Sequence, residues 1–102
     1  MTREDLKEGY VEFNPIWKTH VKTAFQKRMV DEKGEIKFFL NIYVYPRINY
    51  EHKDSFSAEV QFNRSGEVFN LEYFIGADAI VEDIEKVFDN FWKVNGCDYY
   101  EK

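Results

Sequence analysis

The two histidines, His20 and His52, and the single cysteine, Cys97, are the residues of this 102-residue chain best able to do chemistry. His52 lies in Tyr50-Glu51-His52-Lys53-Asp54, where carboxylates flank an imidazole as they do in metal and acid–base clusters. Adjacent loop residues point in different directions, however, and a zinc centre needs three or four converging ligands. His20 could form a general-base pair with Tyr45 across a hairpin, yet the pattern supplies no nucleophile or oxyanion donor beside it. Cys97 has no histidine near it in sequence and falls close to a helix end, a place for packing rather than reaction. The five glycines, at 9, 34, 66, 76 and 96, are scattered, which excludes a phosphate-binding glycine loop. The chain is therefore expected to be non-catalytic, with no metal and no cofactor.

What remains is the chemistry of recognition, concentrated in FFLNIYVYPRINY, Phe38 to Tyr50. Its even positions Phe38, Leu40, Ile42, Val44 and Ile48 are apolar. Its odd positions Phe39, Asn41, Tyr43, Tyr45, Arg47 and Asn49 mix rings with polar groups. A strand alternates its side chains between two faces, so one face is core and the other is a surface of another kind.

The elements that must position that surface follow from spacing. In residues 15–30, Trp17, Val21, Phe25 and Met29 recur every four residues, which suits a helix and a strand alike. The intervening Lys18, His20, Lys22, Gln26 and Arg28 are polar, and Arg28 would fall inside the apolar arc of a helix. A strand is therefore predicted over 15–30, joined to the next by a four-residue loop at 31–34. That register sets Met29 against Ile36, Phe25 against Leu40, Val21 against Val44 and Trp17 against Ile48. On the other face it sets Lys22 against Tyr43, His20 against Tyr45 and Lys18 against Arg47.

Strands over 56–62 and 67–75 flank the loop Asn63-Arg64-Ser65-Gly66, pairing Phe62 with Glu67. A short helix is predicted over Thr2 to Gly9, with Thr2 as its cap. A long helix over 79–94 starts at a cap, Asp78, and carries the apolar stripe Ile80, Ile84, Val87, Phe88 and Phe91; Asn95-Gly96 ends it. The predicted fold is α+β, an antiparallel four-stranded meander packed on one face by the long C-terminal helix, in a single globular domain spanning 1–102.

Composition narrows the function. A hydrophobic fraction of 44% excludes disorder, and 19% aromatic exceeds what packing alone requires. No apolar run approaches the ~18 residues of a membrane span, and MTREDLKEGY lacks a secretory signal. With one cysteine and no internal disulfide, a cytoplasmic location without membrane contact is expected. Abundant Phe, Tyr, Ile, Asn and Lys suit an AT-rich genome, bacterial or phage. The net charge of −5 argues against general nucleic-acid binding. Yet charge is polarised, with four bases and no acid over 14–30, and seven acids against three bases over 76–102.

These features predict a non-catalytic protein-binding module. Lys18, His20, Lys22, Phe39, Tyr43, Tyr45 and Arg47 form its partner-binding face, since Tyr and Arg are favoured interface anchors. A small acidic inhibitor, or an immunity or anti-defence protein acting on a larger partner, suits this size and charge. The alternative is single-stranded nucleic-acid binding, with rings stacking on bases and the lysines and arginines holding phosphates. A third expectation has the N-terminal segment, with Tyr10, Val11 and Phe13, folding over the face and covering it. A row of carboxylates on the long helix, Asp78, Glu82, Asp83, Glu85 and Asp89, could also imitate a phosphate backbone.

Overall fold

The computed structural model describes residues 1–18, 20–21, 23–45, 54–64, 67–76 and 78–95. Its elements are α1 (Arg3–Lys7), β1 (Val11–Phe13), β2 (Thr23–Val30), β3 (Ile36–Tyr45), β4 (Ser55–Arg64), β5 (Glu67–Ile75) and α2 (Val81–Asn95). The strands form one antiparallel sheet in the order β1-β2-β3-β4-β5. The sheet therefore has five strands, not four, because the N-terminal Val11–Phe13 adds to the edge of β2. Helix α1 is capped as its sequence predicts: Thr2 Oγ1 accepts from the Asp5 N–H, and the Asp5 carboxylate accepts from the Thr2 N–H at 2.8 Å.

The predicted strand over 15–30 is correct only from Thr23 onward. Upstream of it the chain turns repeatedly. The Ile16 N–H donates to the Asn14 carbonyl at 3.0 Å, Lys18 to Pro15 at 3.0 Å, and Val21 to Lys18 at 3.3 Å. An extended chain could make none of these bonds, and Pro15 has no N–H to give a sheet ladder. Residues 14–18 and 20–21 thus belong to a strap rather than a strand.

Both hairpin registers differ from prediction by two residues. Phe25 pairs with Ile42 and Met29 with Phe38. One step comes from a five-residue loop, with Val30 paired to Ile36, and the second from a bulge between Met29 and Val30. The Asp31 carboxylate shapes that loop by accepting from the N–H groups of Lys33 (2.8 Å) and Glu35 (2.9 Å), and Gly34 takes φ 82°. In the second hairpin Arg64 pairs with Glu67 and Phe62 with Phe69. A shift of two preserves strand parity, so Phe25 and Met29 still pair with the even, core-facing positions of β3, whereas Val30, beyond the bulge, now pairs with Ile36.

The helix-facing side of the sheet is the main core. Phe25, Phe38, Leu40, Ile42, Val44, Phe56, Ala58 and Val60 are buried there against Val81, Ile84 and Phe88, with Leu6 and Tyr10 closing one end. Each fully buried large apolar side chain contributes about 1.5–3 kcal/mol. The helix stripe is rotated from the predicted one. Ile80 and Val87 are 57% and 64% exposed, while Val81 is buried and Trp92 partly so. The first helical bonds run to the Ile80 carbonyl, so Ile80 rather than Asp78 stands at the cap position.

Polar clamps set that rotation. Glu85 takes Lys27 Nζ at 3.0 Å and Tyr10 Oη at 3.0 Å, and Asp89 pairs with Lys37 and, at 3.0 Å, with Lys93. Burial opposes the Asp89 charge, but the bonds from Lys37 and Lys93 prevail and hold its carboxyl below the usual range. Glu85 and Asp89 therefore face the sheet, and the expected exposed row of carboxylates is broken. Among the described residues, no helix is long and apolar enough to cross a membrane.

Candidate protein-binding site

The sheet face turned away from α2 carries the odd positions of β3. Ala24 pairs with Tyr43 across β2 and β3, and its small side chain leaves room above the strand. Phe13 fills that room, its ring edge-on to Tyr43 at 6.4 Å, and Trp17 stacks on Phe13 at 5.9 Å. Val21, Ala24 and Tyr43 form a second buried cluster, with Phe13 and Tyr45 packed against it. Tyr43, expected as an exposed anchor, is consequently 0% exposed. Of the N-terminal residues expected to cover the face only Phe13 does so, together with the strap; Tyr10 is buried in the helix-side core and Val11 is 72% exposed.

Beneath the strap lies a connected polar network. Tyr43 Oη donates to Glu59 at 2.8 Å, Asn41 Nδ2 donates to the same oxygen at 3.1 Å, and Gln26 Nε2 donates to Asn41 at 2.9 Å. Glu59 stands directly opposite Glu72 on β5, a like-charge pair that is unfavourable unless compensated. Lys18 compensates it. Its Nζ lies 2.8 Å from the Glu72 carboxylate and 4.6 Å above the Tyr43 ring centroid. Ser57 Oγ (2.7 Å) and Tyr45 Oη (3.2 Å) also donate to Glu72.

The electrostatics keep these groups in fixed protonation states. Burial works against the Glu72 charge, yet the bonds from Lys18, Ser57 and Tyr45 outweigh it and hold the carboxyl below the ordinary range. Burial, then the Glu59 carboxylate, pushes the Tyr43 hydroxyl far above its ordinary value, so it remains a donor. For Lys18, burial alone would lower the pKa, but Glu72 raises it and the ammonium persists. Each bond in the network runs from a protonated donor to an acceptor, and Lys18 thereby pins the strap to the sheet.

Of the predicted site residues, Lys18, Tyr43 and Tyr45 come together around Glu72. Phe39 is half-buried on the same strand, four residues or about 13 Å from Tyr43. His20 is exposed on the strap. Lys22 and Arg47 lie outside the described residues, as do His52 and Cys97. Strand parity puts Glu59, Glu72 and Phe74 on this face without marking them as site residues, and the four-residue spacing puts Trp17 in the core. Trp17 is instead 64% exposed beside Ile16, and Phe74 is 80% exposed with its ring 5.9 Å from Tyr45. The opposition of two acids on β4 and β5 to a base-rich first hairpin was the available signal for Glu72.

Among the described residues, no group of three or more His, Cys, Asp or Glu is placed to hold a metal ion. Fold and site together define an α+β protein with a helix-packed core face and a strap-covered polar and aromatic face. Compared with known proteins, the chain matches no family model, no curated protein and no solved structure.

Proposed function

We propose that this chain is a non-catalytic protein-binding module whose contact surface is the outer side of the strap face. The observation that carries the reading is the exposure of Trp17 and Phe74 on either side of the pinned Lys18–Glu72 pair. Aromatic anchors held by a rigid polar scaffold, with Tyr45 between them, have the composition of interface hot spots. Preorganisation matters here, because a fixed strap loses little conformational freedom on binding. An inhibitor or immunity role against a larger partner is the form of this function that suits the small size and net charge of −5.

Single-stranded nucleic acid is favoured less by this arrangement. Lys18 is committed to Glu72, and the carboxylates of Glu59 and Glu72 add negative charge to this face, which opposes a phosphate backbone. A gel shift with single-stranded RNA and DNA at low salt is expected to be negative, and a salt-sensitive shift would promote nucleic acid over protein.

The direct test is affinity capture from the source cell with wild-type protein and a Trp17→Ala/Phe74→Ser variant, followed by reconstitution from purified components. A partner held by the wild type and lost by the variant supports the reading. Equal retention by both would remove the site.

A further inference from the structure

The two edges of the sheet are unlike. One is closed by β1, only three residues long. The other is β5, nine residues long, and among the described residues no strand pairs with its outer side. Natural sheets blunt such edges with lysine, proline, bulges or shortness. The β5 sequence EVFNLEYFI contains no lysine and no proline, its charges are confined to Glu67 at one end and Glu72, and its pairing with β4 runs without a break from Glu67 to Ile75. Tyr73 and Phe74 are 50% and 80% exposed on opposite faces of the strand. Beside Tyr73 an apolar groove of about 400 Å³ runs between β5 and α2.

We propose that the occupant of this edge is a second copy of the chain, its β5 pairing antiparallel with the first to make one continuous ten-stranded sheet. A two-fold axis normal to the sheet returns each residue to its own face, so it must pass through a residue position. Only an axis at Leu71, the midpoint of Glu67–Ile75, pairs all nine residues. Charge permits this centre and excludes the next one along. With the axis at Glu72, two carboxylates would oppose each other directly, whereas the axis at Leu71 sets Glu72 against Asn70 of the other copy. Glu67 then stands against Ile75 rather than against an acid. The dimer places both Phe74 rings on the strap face, about 20 Å apart along the strands, so it would present two copies of the proposed contact surface side by side.

Sedimentation equilibrium of the full chain over a range of concentrations tests this, with substitutions at the exposed Asn70 as the discriminator. Asn70→Glu creates two symmetric carboxylate oppositions and should weaken association about tenfold, while Asn70→Lys creates two opposite-charge pairs and should strengthen it about tenfold. Val11→Lys, on the far edge, should change nothing. Because each copy carries a net charge of −5, added salt should tighten wild-type association. Circular dichroism of each variant establishes that the fold is intact. A monomer at every concentration would overturn the proposal, leaving the edge to a strand of another protein. Dimers unmoved by both Asn70 substitutions would overturn it equally.

Discussion

The two faces of the sheet are stabilised in different ways. On the helix side, Phe25, Leu40, Ile42 and their neighbours gain stability by leaving water, and ion pairs close only the rim. On the strap side, a small aromatic cluster of Tyr43, Phe13 and Val21 sits beside bonds converging on Glu59 and Glu72. The first kind of packing is non-directional and tolerates many sequences. The second fixes particular atoms in particular places, which is what recognition needs.

The contrast can be broken at several depths. Tyr43→Ala should cost about 3–5 kcal/mol in urea unfolding, because it empties a fully buried site and removes the shorter of the two bonds that Glu59 accepts, leaving only the one from Asn41. Leu40→Ala should cost a comparable amount, about 2–5 kcal/mol, from the opposite face. A Tyr43 variant that melted like the wild type would show the strap to be no real cover.

Glu72→Gln should cost about 1 kcal/mol or less near neutral pH, since the Lys18–Glu72 pair is partly exposed. It should also change the acid limb of stability. The Glu72 carboxyl is depressed in the folded state, so its contribution is complete above its unfolded pKa, about 4.3, and disappears as pH falls through the lower folded value. The Glu72→Gln variant lacks that contribution, so its stability should decline less steeply below about pH 4.3. Identical acid limbs would show that Glu72 is not held by its donors. Trp17→Ala with Phe74→Ser should cost the least, under about 1 kcal/mol, because both rings are mostly in water.

Much of the helix-side core was legible because β3 alternates so cleanly: Leu40, Ile42 and Val44 point to one side under any strand pairing. Register was not legible. A slip of two residues preserves strand parity, so the hydrophobic pattern could not detect the bulge at Met29 or the shorter second turn. The strap is hidden in the sequence because Trp17 and Val21 continue the four-residue spacing of Phe25 and Met29 while belonging to the opposite face. Pro15 suits the start of a helix, yet its effect here is to begin a run of turns. Val11–Phe13 is too short to show any period. As for the site, parity and charge are enough to find Tyr45 and Lys18, whereas Trp17 and Phe74 require the path of the strap.

The outer side of the strap face, as the proposed contact surface, is expected to serve binding rather than folding. The measurement that tests it most directly is a calorimetric titration of the captured partner into wild-type protein and into the Trp17→Ala/Phe74→Ser variant, both shown to be folded. The expected loss is at least ~2 kcal/mol, or about thirtyfold in Kd, with melting nearly unchanged. Equal affinity for the two proteins would contradict it.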